Sequence, residues 1–353
     1  MRGVVFDDDG VHVRADIELR SPGADEVVVR LLAAGVCQSD VKVFTRVTRL
    51  PLPLVMGHEG AGIVEAVGNA VDNVTEGDFV VIHTLRSCGW CRHCIAGRPT
   101  SCTNAGGGID TPFAAGGRIL HQFASTSVFV ERTVVRREQV VRVDHRIPPT
   151  AASLLSCAVL HGAGAVTNRA HVRAGDTVAV FGASPLGLNV IQAARIAGAQ
   201  RIIALDTNTE LETLARRCGA HDFSATYETA DVLDYEANGV DHAFVCLPDA
   251  ALVTHAVAAT AVSGQCVIVE FPGFGVRADF EVRQLYQDKS ILGTRAGTAN
   301  PVRDIPRLVD LYLDGQLLLD ELIGRTATLD GAEAALAEMA TGPSAPRTVL
   351  TIN

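Results

Sequence analysis

Hydrophobic and polar positions follow two different patterns along this chain, and the change falls near residue 172. Before it, short β-branched runs such as EVVVRL, AGIVEAVG, DFVVIH and QVVRV are separated by Gly, Pro and Asp. Runs of this kind predict short strands joined by long loops. We therefore expect a mainly β region over roughly the first 150 residues.

The second pattern alternates apolar strands with helices. TVAVFG (177–182) and RIIALD (201–206) are typical of buried strands, and LGLNVIQAARIAGA between them has the apolar spacing of a helix. HAFVCL, ALVTHAVAAT and CVIVEF repeat the order of strand, helix and strand. This alternation predicts an α/β fold with a doubly wound parallel sheet. The closing segment, 296–353, adds the helix-like DIPRLVDLYLDG and the strand-like RTVLTI.

Length and charge narrow the classes of function. The 353 residues suit two domains, and a formal net charge of −10 without runs of Lys or Arg argues against nucleic acid or an anionic membrane as partner. We expect a small-molecule partner. The first residues, MRGVVFDDDG, lack the features of a secretion signal, and no membrane-spanning run of apolar residues is evident, so a cytoplasmic location is predicted.

Cysteines cluster in one short segment, SCGWCRHC, which is followed by a fourth cysteine. The spacing Cys88-x2-Cys91-x2-Cys94-x7-Cys102 can place four thiolates around one tetrahedral zinc. With every position filled by protein, such a zinc is structural. The nine cysteines also leave a disulfide framework or reduced free thiols as alternatives, although an odd number without a secretion signal favours metal binding or catalysis.

A glycine-rich turn joins the strand at 177–182 to the following helix. Its sequence is GASPLG, formed by Gly182, Ala183, Ser184, Pro185, Leu186 and Gly187. The first and last glycines match the dinucleotide-binding pattern, whereas Ser184 stands where a middle glycine is usual. Asp206 follows 24 residues after Gly182 at the end of the next strand, where an acidic residue binds ribose hydroxyls. The turn therefore predicts a dinucleotide site, with an ordinary α/β turn as the alternative.

A catalytic zinc needs three protein ligands and an open fourth position. The remaining Cys and His residues offer Cys37 in GVCQSD, His58 beside Glu59 in GHEG, and Cys157 in LLSCAVLHGAG. Each of these residues alone is also typical of a buried core cysteine or a satisfied polar histidine.

Together, and in this order around the four-cysteine segment, these motifs resemble the zinc-dependent medium-chain alcohol dehydrogenases. The resemblance covers nearly the whole chain and includes GHEGAGIVEAVG, SCGWCRHCIAGRPTSC, LHQFASTSVFVERTVV and PRTVLTI. It implies a GroES-like, mainly β catalytic domain over 1–158 and 296–353 and a Rossmann NAD-binding domain over 159–295, with a cleft between them for substrate and cofactor. It also implies two zinc ions per chain, the reactive one held by Cys37, His58 and Cys157.

The resemblance assigns roles around the reactive zinc. Ser39 would contact the substrate hydroxyl and begin a proton relay, Asp40 would hold the ring of His58, and Glu59 would lie next to the metal. In liver-type relatives a histidine ends this relay, and Lys42 occupies that position here. The exit of the relay is therefore left open.

Three positions bear on the cofactor. His161 stands four residues after Cys157, where many relatives place a threonine near the nicotinamide, and Arg347 matches an arginine that reaches the pyrophosphate. The carboxylate of Asp206 would repel a 2′-phosphate, and no basic residue in the following TNTE offsets its charge. We therefore expect a preference for NAD(H).

Small residues stand where liver-type relatives carry bulky pocket side chains, at Thr84, Gly107 and Ala124, while Phe123 keeps one aromatic wall. An enlarged pocket would lose the contacts that hold ethanol, so a bulky or cyclic alcohol or carbonyl substrate is predicted. The alternative is that the glycine-rich segment 106–117 folds inward and refills the space.

These expectations describe an NAD-linked zinc alcohol dehydrogenase or carbonyl reductase that forms a homodimer or homotetramer. Within the same family, the alternatives are a formaldehyde or thiol-adduct dehydrogenase and a specialised-metabolism enzyme that reduces an activated double bond or performs non-redox chemistry. A zinc-stapled nucleotide-binding regulator without turnover is an alternative of another class. The open zinc site and Ser39 argue against the regulator, because a binding module needs neither.

Overall fold

The structure is a computed structural model that describes residues 1–105, 111–342 and 345–353. Within those ranges the strands are β1 (Gly3–Asp7), β2 (Gly10–Arg14), β3 (Glu18–Leu19), β4 (Glu26–Gly35), β5 (Leu54–Val55), β6 (Glu59–Val67), β7 (Phe79–Ile82), β8 (Phe113–Ala115), β9 (Arg118–Gln122), β10 (Arg132–Arg136), β11 (Val140–Arg142), β12 (Thr177–Phe181), β13 (Arg201–Leu205), β14 (Asp222–Ser224), β15 (Val240–Val245), β16 (Thr260–Ile268), β17 (Ser290–Gly293), β18 (Ile323–Ala327) and β19 (Arg347–Thr351).

The α-helices in the same ranges are α1 (Gln38–Phe44), α2 (Arg92–Ile95), α3 (Pro149–Leu154), α4 (Leu160–Gly164), α5 (Pro185–Ala197), α6 (Glu212–Cys218), α7 (Thr229–Tyr235), α8 (Ala250–Ala259), α9 (Pro301–Leu313) and α10 (Ala332–Thr341). Stretches of π-helix follow α3 and α4, at Leu155–Val159 and Ala165–Ala170. Short 3₁₀ turns lie at Pro99–Ser101, Phe123–Ser125, Arg137–Gln139, Thr209–Leu211, Val282–Gln287, Ala296–Thr298, Asp320–Leu322 and Leu329–Gly331.

The chain forms two compact units. Unit 1 consists of Met1–Cys157, Asn300–Gly315 and Leu319–Asn353, and unit 2 consists of Ala158–Ala299 and Gln316–Leu318. The helical segment Pro149–Ala170 is long and apolar enough to cross a membrane, but 78% of its most apolar window is buried inside the protein. Its burial is typical of a core helix in a globular protein.

Unit 1 is built on two sheets, as the β-branched runs predict. Six strands pair in the order β2-β1-β5-β9-β8-β3, and seven form a second sheet in the order β11-β7-β6-β4-β19-β18, with β10 also paired to β4. The long strand β4 lies at the centre of the second sheet, where Val27, Val29 and Leu31 are almost completely buried. Each such side chain stabilises the fold by roughly 1.5–3 kcal/mol relative to an exposed position.

The register of the second sheet brings distant segments of unit 1 to one end. Gly35, the last residue of β4, pairs with Glu59 at the start of β6 and with Val349 in β19. Gly60 then pairs with Ile82, the last residue of β7. The segments that follow β4, precede β6 and open β19 therefore converge, and they carry the polar residues of the candidate site.

Unit 2 contains a six-stranded sheet in which every neighbouring pair is parallel, in the order β14-β13-β12-β15-β16-β17. Counted from the first strand of the unit, this order is 3-2-1-4-5-6, which is the Rossmann arrangement. The predicted doubly wound parallel sheet is confirmed. Its central strands are buried along their length, as continuous apolar runs predict.

One strand begins earlier than its apolar run suggests. CVIVEF begins at Cys266, but β16 begins at Thr260. The additional residues include the exposed Val262 and Ser263. Ser263 has a positive φ of 63°, and the pairing with β15 shifts register after Val240. Because this part is neither regularly paired nor buried on both faces, it carries no apolar pattern.

Candidate active site and metal centres

Four side chains of unit 1 that could hold a metal ion converge at the end of the second sheet. Cys37 follows β4, His58 and Glu59 lie at the start of β6, and Cys157 follows α3. One ligand atom from each lies within 4.8 Å of the corresponding atoms of the others. The three ligands predicted from GVCQSD, GHEG and LLSCAVLHGAG are therefore together in space, although 120 residues separate the two cysteines.

The donor set fits a tetrahedral zinc. Zinc–sulfur bonds of about 2.3 Å place two sulfur ligands about 3.8 Å apart, and the Sγ atoms of Cys37 and Cys157 are separated by 4.0 Å. The Nε2 atom of His58 is buried and has no hydrogen-bond partner among the described residues. A buried imidazole nitrogen without a partner is costly unless it binds something, so this atom fits a metal ligand.

Asp40 fixes both cysteine and histidine at this centre. Its Oδ2 accepts a hydrogen bond of 2.9 Å from the backbone N–H of Cys37, and its Oδ1 lies 3.1 Å from Nδ1 of His58. The carboxylate is completely buried. A carboxylate on Nδ1 orients the ring and leaves Nε2 as the metal-binding nitrogen. The structure thus places Asp40 in contact with the ring of His58, and its role at a bound metal stays a prediction.

Glu59 is paired with a buried arginine. Its Oε2 lies 2.8 Å from Nη2 of Arg347, and both side chains are at most 3% exposed. Burial raises the pKa of Glu59 to about 8, and the charge of Arg347 opposes that shift. The guanidinium also donates a 3.1 Å hydrogen bond from Nε to the carbonyl of Val36.

The predicted cofactor role of Arg347 is a separate matter from this pairing. Its Nη1 atom has no hydrogen-bond partner among the described residues, so one nitrogen of the guanidinium is not engaged by Glu59 or Val36. A contact with a pyrophosphate stays a prediction.

The second metal cluster is the four-cysteine segment. The Sγ atom of Cys91 lies 3.6 Å from that of Cys94 and 3.9 Å from that of Cys102. These separations match the roughly 3.8 Å expected between sulfurs on one zinc. Backbone N–H groups of Cys88 and Asn104 each donate to the sulfur of Cys102 at 3.3 and 3.4 Å, which suits a thiolate. All four ligands are protein atoms, so this cluster fits a structural zinc.

The glycine-rich turn of unit 2, residues 182–187, brings the start of α5 close to the end of β12. Gly182 has a φ of 105°, and a Cβ atom there would lie 2.4 Å from Leu247. At Gly187 a Cβ atom would lie 1.8 Å from the carbonyl oxygen of Gly182. Both glycines are therefore required for α5 to begin directly after β12, as in turns that bring a helix N-terminus close to an anionic group.

Ser184 replaces the middle glycine without blocking the helix terminus. Its Oγ donates a 2.9 Å hydrogen bond to the carbonyl of Cys246 and accepts one from the N–H of Gly187 at 3.3 Å. The side chain is thus the N-cap of α5. Asp206 lies beside the turn, where its Oδ2 accepts a 2.8 Å hydrogen bond from the N–H of Ala183. These residues fit a dinucleotide-binding turn.

The remaining predicted site residues differ in where the structure places them. Phe123 contacts the centre directly, because its ring meets that of His58 edge to face with centroids 5.5 Å apart. Ser39 is exposed on the first turn of α1, while Thr84 after β7 and His161 in α4 are half-buried. Gly107 lies outside the described residues.

Two titratable residues carry no sequence motif. His83 follows β7, is 2% exposed, and has no hydrogen-bond partner for either ring nitrogen among the described residues. Glu270 follows β16 at the carboxyl edge of the parallel sheet. The only sequence indication for either residue is its place near the end of a predicted strand, CVIVEF for Glu270 and DFVVIH for His83. The burial of His83 depends on tertiary packing, which neither run encodes.

Known proteins share this architecture. The alcohol dehydrogenase GroES-like domain matches residues 23–145, and the zinc-binding dehydrogenase domain matches residues 185–314. The Schizosaccharomyces pombe protein named "Probable S-(hydroxymethyl)glutathione dehydrogenase 1" is 32% identical, over 93% of this chain and 90% of its own length.

Solved structures are similar to this chain over its whole length. An alcohol dehydrogenase zinc-binding domain protein from Burkholderia ambifaria is similar with a TM-score of 0.94 and 32% identity, over 100% of this chain and 98% of that one. Benzyl alcohol dehydrogenase from Acinetobacter calcoaceticus is similar with a TM-score of 0.92 and 29% identity, over 100% of this chain and 99% of that one. The zinc-binding dehydrogenase domain and the donor sets support zinc as a cofactor. A nicotinamide dinucleotide is supported by a further similar structure, a putative zinc-binding dehydrogenase from Sinorhizobium meliloti bound to NADP, with a TM-score of 0.82 and 25% identity over 99% of this chain and 98% of that one. The chain therefore belongs to the zinc-dependent medium-chain dehydrogenase/reductase family, the oxidoreductases that include the alcohol dehydrogenases.

Proposed function

We propose that this protein is an NAD-linked alcohol dehydrogenase or carbonyl reductase. The observation that supports it best is the cluster of Cys37, His58 and Cys157, which offers three ligands, among them a buried Nε2 atom without a hydrogen-bond partner in the described part of the chain. When bound, zinc supplies Lewis acidity toward the substrate oxygen, and the nicotinamide exchanges a hydride with the carbinol carbon. Zinc analysis tests the donor sets: two ions per chain support the enzyme, whereas one would favour a nucleotide-binding regulator.

The chain's own residues would orient the reactants and move the proton. Ser39 is exposed at the start of α1, two residues after Cys37, so its hydroxyl can accept the proton that the substrate hydroxyl loses. Asp40 holds the tautomer of His58 through Nδ1, and Arg347 fixes the position of Glu59 beside the ligands. Ser39→Ala should lower kcat strongly while zinc content stays at its wild-type value.

NAD(H) is the proposed dinucleotide. The carboxylate of Asp206 lies beside the N-terminal turn of α5, where it would accept bonds from ribose hydroxyls and repel a 2′-phosphate. Catalytic efficiency should therefore be higher with NAD than with NADP, and Asp206→Asn should reduce that difference. Equal efficiencies in the wild-type protein would contradict this assignment.

A bulky or cyclic substrate is proposed for the zinc site. Thr84 is small, Phe123 provides an aromatic wall next to His58, and a benzyl alcohol dehydrogenase is among the similar structures. Each methylene that fails to find a partner in a wide pocket changes discrimination by about 1–3 kcal/mol. Efficiency should rise from ethanol to benzylic and alicyclic alcohols. Highest efficiency with ethanol would show that the pocket is not wide.

A thiol adduct is a second candidate substrate, favoured by the similarity to the S. pombe protein. S-(hydroxymethyl)glutathione is an alcohol that carries carboxylates, so it needs cationic side chains around the pocket. Comparing its efficiency with that of benzyl alcohol in one assay series separates the two candidates. A large advantage for the adduct would replace the benzylic proposal while leaving the chemistry unchanged.

We also propose a cytoplasmic homodimer or homotetramer. In unit 2 the edge strand β17 is partly exposed, and Phe274 and Tyr286 are more than nine-tenths exposed. Sheet edges and exposed aromatic residues of this kind are typical of surfaces that become buried on association. Sedimentation analysis of the zinc-loaded protein tests this, and a monomer at micromolar concentration would refute it.

A further inference from the structure

The segment from Phe123 to Ser127 carries the aromatic ring that meets the histidine of the candidate active site. The rings of Phe123 and His58 are nearly perpendicular, at 88° to each other, and both side chains are buried. In the proposed function this ring is one wall of the substrate pocket. The contacts that hold the ring in place therefore bear on which substrates the pocket favours.

The backbone of this segment has an unfavourable conformation. Ala124, Ser125 and Ser127 have positive φ values of 51°, 57° and 45°. Residues other than glycine rarely adopt this left-handed region, because their Cβ atom comes too close to a backbone carbonyl oxygen. Such a conformation persists only where surrounding contacts hold it. The segment therefore depends on those contacts to keep the ring of Phe123 beside the histidine.

The hydroxyl of Ser127 makes two such contacts. Its Oγ accepts a 2.8 Å hydrogen bond from the backbone N–H of Phe123 and donates one of 2.6 Å to the carbonyl of Val55. Ser127 is completely buried, so solvent does not compete for these bonds. One oxygen atom thus connects the backbone of Phe123 to a residue three positions before His58.

The two segments continue side by side toward the histidine. The backbone N–H of Val128 donates to the carbonyl of Gly57 at 3.1 Å, and that of Phe129 donates to the carbonyl of Met56 at 3.0 Å. Gly57 has a φ of 90°, and a Cβ atom there would lie 2.3 Å from the ring of Phe129. The chain that leads to the histidine is therefore packed directly against the chain that follows the serine.

Two glutamines support the same segment at other points. The Nε2 atom of Gln122 donates to the carbonyl of Thr126 at 3.0 Å, and that of Gln139 donates to the carbonyl of Ser125 at 3.1 Å. These bonds hold the middle of the segment, whereas the hydroxyl of Ser127 binds the backbone of the aromatic residue itself. Removing that hydroxyl should therefore free the ring of Phe123 without releasing the whole segment.

We propose that Ser127 is a positioning residue that fixes the ring of Phe123 beside His58 and thereby favours alcohols large enough to contact that ring. The inference rests on the proposed function, because it assumes that an alcohol is oxidised at this centre. A ring that is already fixed loses little freedom when a bulky substrate packs against it. Ethanol offers only two carbon atoms for such contact and gains less. Ser127 acts through Phe123 and takes no part in bond making.

The test compares kcat/KM for benzyl alcohol with kcat/KM for ethanol, using full-length, zinc-loaded protein and NAD⁺. Ser127→Ala should lower the ratio of the two values about fivefold, which is the size of effect expected when one aromatic contact is lost. Loss of folded protein lowers both values equally and leaves the ratio unchanged, so the ratio separates positioning from stability. The matched control is Ser153→Ala, which removes another completely buried hydroxyl of unit 1, bonded to the carbonyl of Thr150 at 2.8 Å, and should leave the ratio unchanged.

Hydrogen exchange tests the same contact without turnover. The backbone N–H of Phe123 donates to Ser127, so its exchange should become about tenfold faster in Ser127→Ala and stay unchanged in Ser153→Ala. If Ser127→Ala does not fold, Ser127→Gly takes its place in both measurements. Glycine also lacks the hydroxyl, but it adopts a φ of 45° without strain.

The remaining outcomes separate the inference from the proposed function. An unchanged ratio of efficiencies in a folded variant, or an unchanged exchange rate at Phe123, would overturn the role of Ser127. If the wild-type protein forms NADH from neither alcohol, the proposed function fails and the inference fails with it. That result differs from an unchanged ratio, because it appears in the wild type before any variant is compared.

Discussion

Replacing His83 by leucine should remove much of the acid sensitivity of unit 1. His83 is buried, and burial lowers its pKa from the ordinary 6.5 to about 3, against a weaker opposing effect of the backbone of Leu85. The unfolded chain binds a proton at this residue below 6.5, and the native protein does so only near 3. The contribution of neutral, buried His83 to the free energy of unfolding is therefore fully present above pH 6.5. It is lost progressively as the pH falls toward 3.

The size of the effect follows from the shifted pKa. One unit corresponds to about 1.4 kcal/mol, so the whole window corresponds to about 5 kcal/mol. Between about pH 7.5 and about pH 5.0, the wild-type protein should lose about 2 kcal/mol of unfolding free energy through His83 alone. His83→Leu should lack this loss, and it should not be less stable at the higher pH, because leucine leaves no unsatisfied buried nitrogen.

Urea unfolding at the two pH values provides the assay. Trp90 is the single tryptophan of the chain and lies in unit 1, as His83 does. Its fluorescence therefore reports the unfolding of the unit that contains His83. Protonation of the zinc ligands contributes equally to both proteins and cancels in the difference. His145→Leu is the matched control, because that side chain is 90% exposed and should leave the pH dependence unchanged. The same pH dependence in His83→Leu and wild type would refute the reasoning.

The other predictions concern single contacts. Cys102→Ser should lower the zinc content from two ions to about one per chain and reduce the melting temperature, because four sulfurs hold that segment. Metal analysis and calorimetry measure these changes, and an unchanged zinc content would contradict the assignment of the structural site. Ser184→Ala should destabilise unit 2 by about 1 kcal/mol through loss of the α5 cap, whereas Ser184→Gly should cost only a few tenths of that; equal losses in urea unfolding would show that the cap contributes nothing.

The metal centres differ in how far the sequence could predict them. The four cysteines from Cys88 to Cys102 are close in the chain, so their spacing alone indicates one zinc. Cys37 and Cys157 are 120 residues apart, and only the register of β4 with β6 and the placement of α3 bring them together. Their pairing was predicted from family resemblance, since no local pattern encodes it.

Buried polar residues were the hardest to predict. The ion pair of Glu59 with Arg347 forms because β19 begins beside the end of β4, and the burial of His83 depends on packing around β7. Ser184 could be recognised in the sequence only as a departure from the glycine pattern, whereas the structure gives its side chain a capping role. Such roles depend on partners that lie far away in the chain.

The central claim is that Cys37, His58 and Cys157 support a nicotinamide-dependent alcohol oxidation. The most direct measurement follows the absorbance of reduced nicotinamide with zinc-loaded protein, NAD⁺ and benzyl alcohol. Cys157→Ala is compared with Cys218→Ala, a buried cysteine of unit 2 outside both metal clusters. We predict NADH formation by the wild type and Cys218→Ala and none by folded Cys157→Ala. Equal rates in all three proteins would contradict the account.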